Sequence, residues 1–244
     1  MAEQEIAKHT KKVVRLFEKS EHGWRHKLGE MTLEIVTIVF AVTLSIWLHG
    51  LGEHRHEQEQ VRHFLLGLKH DLGADIAYLD ELNTAYRAYD ANFEYLSKLD
   101  PRSAPDPEKF EKAFEAADSN YFFTPQTSRY QGFKSSGKLI HIEDEALLEK
   151  ILNLYELQTE QIKTSEAGWR NRQNVFRAYV ESSLTGDDSI EQHYQLVTAP
   201  KGKRLLRKEI TAPQHYDRYA NYAKLGAEII KEIEQKYPDA AHEK

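Results

Sequence analysis

The sequence predicts an all-α protein: one transmembrane helix that continues into a long helix, with a bundle-like helical outer domain. Three observations carry this. Only seven prolines and twelve glycines interrupt 244 residues, with Leu, Glu, Lys, Ala and Gln abundant, a composition that favours long helices. Apolar residues recur at three- and four-residue spacing, and no convincing alternation of period two is found. The stretch "MTLEIVTIVFAVTLSIWL", Met31 to Leu48, holds one charge, Glu34.

The elements follow in order. Residues 4–20, "QEIAKHTKKVVRLFEKS", place Ile6, Val13, Leu16 and Phe17 on one side with lysines around them. This is the pattern of a basic amphipathic helix lying on an acidic inner leaflet, although a solvated, frayed helix fits the same residues. Gly23 and Trp24 mark the bend into the apolar stretch. Met31–Leu48 rises about 27 Å as a helix, close to the roughly 30 Å hydrocarbon core. A cleavable signal peptide starts nearer the N-terminus and exits through an Ala-x-Ala-like site, which "LHGLGEHRHEQ" is not. The domains expected are a cytoplasmic segment 1–30, a membrane helix 31–50 and an extracytoplasmic helical domain 51–244. Lys8, Lys11, Lys12, Arg15, Lys19, Arg25 and Lys27 precede the span, while Arg55, Arg62 and Lys69 follow it. The positive-inside rule then puts the N-terminus in the cytoplasm, and in a bacterium the C-terminal part in the periplasm.

Beyond the span, Val61, Leu65, Leu68, Leu72, Leu79, Leu82, Tyr86, Tyr89, Phe93 and Leu96 form one apolar seam, broken by Asp75. No proline lies between Met31 and Pro101, so one helix is expected to about Leu99, with Gly50 and Gly52 as a juxtamembrane kink. "DPRSAPDP" ends it. A short helix near Pro107–Ala117 comes next, then the aromatic loop "SNYFFTP", with Thr124 capping a helix over Pro125–Ser136. A long helix is expected over about 144–184, with Leu148, Ile151, Tyr155, Ile162, Trp169, Phe176 and Val180 inward. Smaller pieces between 188 and 209 lead to a last helix, Pro213–Lys236, presenting Tyr216, Tyr219, Ala223, Ile230 and Ile233. The final "AAHEK" reads as a loose tail.

Several function classes drop out. The net charge of −6 offers no basic face for nucleic acid, and the absence of cysteine removes thiolate sites and disulfides. "GFKSSGKL", Gly132 to Leu139, has the spacing of a phosphate-binding loop. Yet Leu139 stands where the magnesium-binding hydroxyl belongs, and helix rather than strand precedes it. Gly137 is better read as a helix C-cap, and no nucleotide site is expected. His49, His56, His63 and His70 repeat every seven residues, about 10 Å apart on a helix, too far for one ion to bridge. No catalytic arrangement and no metal or cofactor site is expected.

Glu34 carries the sharpest expectation, because a carboxylate within a span is costly. It shares a face with Thr37, Ala41 and Ser45, whose small size lets membrane helices approach closely. One turn from the border, Glu34 can also reach cytoplasmic water. The expected protein is a non-enzymatic, membrane-anchored one that binds a partner, senses a ligand or scaffolds an assembly, as a homo-oligomer. The alternative is a small oligomeric pore using Glu34. The expected partners are the lipid bilayer, further copies of the chain and an unnamed protein.

"TSRYQGFKSSGKLIHIEDEALLEKILNLY" resembles the middle of an uncharacterised bacterial family of single-pass membrane proteins of Bacteroidetes type. There a Tyr and a Ser-x-Gly turn precede a short acidic link into a helix. Members begin with a Gly-Glu pair entering an apolar span, followed by a long polar helix with "L..L..DL". The counterparts here are Gly29-Glu30, Met31–Leu48 and "FLLGLKHDLGADIAYL". The similarity covers about residues 23–160, with "WLHGLGEHRH" replacing an asparagine-rich exit. It implies a membrane topology and no known activity.

Overall fold

A computed structural model describes residues 23–117, 119, 121–186 and 189–238. The amphipathic segment 4–20 and the tail 240–244 lie outside the described residues. Among these the chain is all-helical. It divides into two compact units, residues 1–59 and residues 60–244.

The first helix, α1, runs Gly23–Lys98 without a break in its helical assignment, through Gly50 and Gly52. Its apolar part in the first unit exposes every large side chain, Phe40, Ile46 and Trp47 among them. In the second unit the same helix buries Val61, Leu65, Leu68, Leu72, Leu79, Leu82, Tyr86, Tyr89, Phe93 and Leu96, as the spacing predicts. Pro101 disfavours a helical residue before it, and Asp100 turns the chain by accepting from the Ser103 and Arg102 amides.

Helix α2, Pro107–Ala116, starts on Pro107 with the Asp106 carboxylate accepting from the Lys109 amide. Helix α3 spans Ser128–Ser135, not Pro125–Ser136. Pro125 and Gln126 stay non-helical because the Gln126 amide is held by the Asp75 carboxylate, 3.0 Å away. Gly137 ends α3 as expected: its φ of 74° is left-handed, where a Cβ is strained, and its amide donates to Lys134 O. A 3₁₀ turn, Lys138–His141, follows.

The long helix expected over 144–184 forms as α4, Glu145–Leu152, a π-helical turn Asn153–Gln158, and α5, Thr159–Ser183. The Thr159 hydroxyl donates to Leu154 O, five residues back, within the widened turn. Extra residues in that turn shift the helical phase, so Leu147 and Ile151 are buried before it, Leu154 and Tyr155 within it, and Ile162, Trp169, Phe176 and Val180 after it. Helices α6, Ile190–Thr198, and α7, Pro200–Glu209, are joined through Ala199. Helix α8 spans Pro213–Lys236, starting on its proline.

Helix α5 packs on α6, α7 and α8, and α8 also packs on α4 and the π turn. The buried face of α8 is His215, Tyr219, Tyr222, Gly226, Ile229 and Ile233, while the expected Tyr216, Ala223 and Ile230 lie at its edge. That rotation is fixed by polar anchors described below and by Gly226. A Cβ there would sit 3.3 Å from Ile76 and 4.0 Å from Leu72, so the glycine sets how closely α8 meets α1.

Two glycines test this packing in opposite directions. A Cβ on Gly202 would sit 2.0 Å from the Leu196 carbonyl oxygen, a backbone atom, whereas one on Gly73 meets nothing within 4 Å. Gly202→Ala should lower the unfolding free energy by about 1–3 kcal/mol. Gly73→Ala should raise it by up to about 1 kcal/mol. Denaturant unfolding of the full chain in detergent, followed by circular dichroism, measures both.

Candidate functional site

Asp75 interrupts the seam of α1 where the 3-4 spacing calls for an apolar residue. It is nonetheless only 2% exposed. Its carboxylate accepts from the Gln126 amide at 3.0 Å and from the Tyr222 hydroxyl at 2.9 Å. On α5, Glu166 occupies the apolar stripe between Ile162 and Trp169 and is 4% exposed. It accepts from the Phe123 amide at 2.8 Å and from the Tyr219 hydroxyl at 2.6 Å. One turn before Asp75, Asp71 takes the Arg129 Nε–H at 2.8 Å.

These carboxylates share a purpose. The segment Tyr121–Thr127 has no helix or strand to satisfy its backbone, yet Phe123 is buried. Glu166 and Asp75 take its amides. Its carbonyls accept from tyrosines: Tyr121 O from Tyr86 at 2.9 Å, Phe122 O from Tyr78 at 3.2 Å, and Gln126 O from Tyr155 at 3.5 Å. The segment is thus a strap anchored by buried Phe123 and tied directly from α1, the π turn and α5, with Tyr219 and Tyr222 of α8 holding the two carboxylates. Burial raises the Asp75 and Glu166 carboxyls above their ordinary range, opposed by the hydrogen bonds to Gln126 and Tyr222 and to Tyr219 and Phe123. Burial also raises Tyr86, Tyr219 and Tyr222, which keeps their protons available for donation.

A second polar group lies where α7 turns into α8. Glu209 is 1% exposed, and neither carboxylate oxygen has a hydrogen-bond partner among the described residues. Burial pushes it up to about 7, against the pull of Arg172. His215 is ringed by Tyr86 at 4.6 Å and Tyr219 at 4.7 Å, and burial holds it down to about 4, with Arg172 and Arg218 acting in the same direction.

The accessible concave surface is elsewhere. A half-open groove of about 620 Å³ lies between α2, α5 and α6. Phe110, Phe176 and Val180 form its floor, Phe114 and His193 stack at 4.2 Å on one side, and Glu111, Glu115 and Glu181 stand on its walls beside Arg177. Two ties fix its width. Gln173 donates through Nε2 to Ala117 O and Ser119 O, both at 3.0 Å, holding the end of α2 to α5. Phe110 meets Tyr194 edge-on at 5.7 Å, holding α2 to α6. A smaller polar recess of about 380 Å³, lined by Ser183, Thr185, Ser189 and Gln192, adjoins the end of α5.

The residues singled out from sequence fall outside these places. Glu34, Thr37, Ala41 and Ser45 are exposed on α1 in the first unit, and the Thr37 hydroxyl donates to Leu33 O at 2.7 Å. His49, His56, His63 and His70 are exposed, and no group of three or more metal-ligating side chains exists among the described residues. Lys138 opens the 3₁₀ turn behind α3, with no strand before it. Asp75, Glu166 and Glu209 were missed, although a signal existed: each carboxylate sits three or four residues from buried apolar ones on the same face.

The fold and its interior define an all-helical protein with one long apolar helix near its N-terminus. The chain belongs to a family of unknown function (DUF6090), whose profile matches residues 30–167, more than half of its length. The match takes in the apolar helix, the strap, Asp75 and Glu166, and stops before the second wall of the groove. No curated protein and no solved structure matches the chain.

Glu209 gives a pH dependence with a definite sign. Its folded pKa, about 7, exceeds its ordinary 4.5. The folded state therefore holds the proton more tightly, and stability is lost as pH rises through this window. His215, lowered from 6.5 to about 4, works oppositely, losing stability as pH falls. Comparing wild type with Glu209→Gln cancels the histidine. Chemical denaturation at pH 4.5 and pH 7.5 should show the variant gaining on the wild type, by up to about 3 kcal/mol.

Proposed function

We propose that this chain is a single-pass, membrane-anchored binding protein without catalytic activity. Met31–Leu48 crosses the bilayer, the N-terminus is cytoplasmic, and the bundle-like helical domain stands in the bacterial periplasm. There the groove between α2, α5 and α6 takes a ligand. The observation that carries the reading is the contrast along α1. Its seam from Val61 to Leu96 is filled by the chain's own helices, while none of the apolar window beginning at Met31 is buried. A soluble protein leaves no such length of Ile, Val, Leu and Phe in water, and hydrocarbon is the solvent that suits it. The basic residues before the span support the orientation. The engagement of Asp75 and Glu166 in holding the strap supports a binding rather than a catalytic role, since both are committed to backbone amides.

Filling of the outer seam also bears on assembly. It removes Val61–Leu96 as a contact between copies and leaves the face of Glu34, Thr37, Ala41 and Ser45 for a homo-oligomer. The Thr37 hydroxyl already satisfies its proton within its own helix, so close packing of small residues, rather than hydroxyl donation, is the stabilising term there. An ion-conducting assembly through Glu34 rests on the same contact.

Reporter fusions at Lys244 test the topology. Alkaline phosphatase fused there should be active and a fluorescent protein dark; a bright fluorescent fusion overturns the orientation. The oligomer is tested by Ala41→Leu, which adds bulk where helices nearly touch and should cost about 1 kcal/mol or more of association. Val42→Leu, on a neighbouring face, should change little. Mass photometry in nanodiscs reads both, and a monomeric wild type removes the oligomer and the pore together.

A further inference from the structure

The groove between α2, α5 and α6 has a chemistry that selects among ligands. Its volume of about 620 Å³ is that of a small-molecule site. The apolar part of the lining is largely aromatic, with Phe110, Phe114 and Phe176 from two helices. Its polar groups are unevenly signed. Glu111 and Glu115 stand one turn apart on α2 and Glu181 faces the same space from α5, against the single guanidinium of Arg177. Glu111, Glu115 and Glu181 are all exposed side chains, free to turn toward an occupant without losing a buried bond.

From this we infer that the groove binds an organic cation: an aromatic or aliphatic body carrying a substituted ammonium group. The body displaces water from the partly exposed apolar lining, Phe114, Leu184 and Ile190. The ammonium sits where carboxylates outnumber the guanidinium. A substituted ammonium suits the place better than a primary amine or an ion of high charge density. It is weakly hydrated and carries few N–H donors that an apolar floor would leave unpaired. A carboxylate of the same shape meets repulsion from three side chains and attraction from one.

The inference rests on the groove being the binding site, and the experiment separates the two. The full chain in nanodiscs of zwitterionic lipid is titrated with benzyltrimethylammonium, 3-phenylpropionate and benzyl alcohol, with empty nanodiscs subtracted, by ligand-observed NMR. Benzyltrimethylammonium should bind saturably and at least tenfold more tightly than 3-phenylpropionate. Glu111→Gln with Glu115→Gln should weaken the cation at least fivefold and leave benzyl alcohol unchanged. Ile190→Trp, which adds bulk at the exposed rim, should weaken all three probes. If benzyl alcohol binds and is lost in Ile190→Trp, while the cation gains nothing over the anion or ignores the double substitution, the cation class is overturned and the groove stands. If no probe binds above the empty nanodiscs, both fall.

Discussion

The interior of the second unit depends on a strap of backbone that has no secondary structure of its own. Tyr121–Thr127 links α2 and α3 with only Phe123 fully buried, and the backbone groups around that anchor take their partners from other elements. A buried amide or carbonyl left without a partner costs about 1–3 kcal/mol. Two carboxylates and three tyrosine hydroxyls supply the partners here, from α1, α5 and the π turn. The arrangement is also consistent in its protons. Carboxylates can only accept when ionised, so they take the amides. Tyrosines raised by burial keep their hydrogens, so they can give them to the carbonyls and, from Tyr219 and Tyr222 on α8, to the carboxylates. Removing either carboxylate would orphan an amide and a hydroxyl at once, a much larger fault than the loss of one hydrogen bond. The aromatic character of the core follows from this. A tyrosine brings apolar area together with a donor at its tip, which an aliphatic core could not offer.

Helix α1 changes character three times along its length. From Met31 to Leu48 the side chains are apolar on most sides, with Glu34 as the one charge. From His49 to Gln60 they are polar on nearly every side, supported within the helix by pairs such as His49 with Glu53, 3.4 Å apart four residues on. From Val61 the apolar residues retreat to a single stripe. A helix polar all round has no packing to hold it and relies on propensity and such local pairs. That the histidines recur every seven residues fits this need for a wetted surface along the outer side of the stripe, and asks for no metal.

Much of this was legible in the sequence, and the failures have a common cause. The seam of α1, the proline starts of α2 and α8, and the left-handed Gly137 were readable because each rests on a local rule: spacing, a fixed φ, a missing Cβ. The start of α3 was misplaced because Pro125 is a good first helical residue locally, while the true constraint is Asp75, fifty residues away in the chain. The face of α8 was rotated because Tyr216, Ala223 and Ile230 are as apolar as their neighbours. What chooses among them is the reach of Tyr219 to Glu166 and of Tyr222 to Asp75. The carboxylates themselves read as breaks in an apolar stripe, since hydropathy scores a buried, fully bonded Asp as an error. The groove was invisible for a different reason. It is a space between three helices, and nothing along the chain says how far apart they are held.

That separation ties the groove to the interior. Helix α5 carries Glu166, Trp169, Gln173 and Phe176 on successive turns of one face. The first holds the strap, the last floors the groove, and Gln173 between them clasps the carbonyls of Ala117 and Ser119 where α2 gives way to the strap. The wall of the groove and the strap are therefore consecutive pieces of one chain segment, clamped to one helix by neighbouring side chains. The amide of Gln173 spends both donors on that clamp, and its oxygen has no partner among the described residues. A ligand that pushed α2 away from α5 would have to stretch these two hydrogen bonds before it moved anything else. The same two bonds set the width of the groove, so this surface, proposed as a binding site, takes its rigidity from the polar ties of the core rather than from its own phenylalanines.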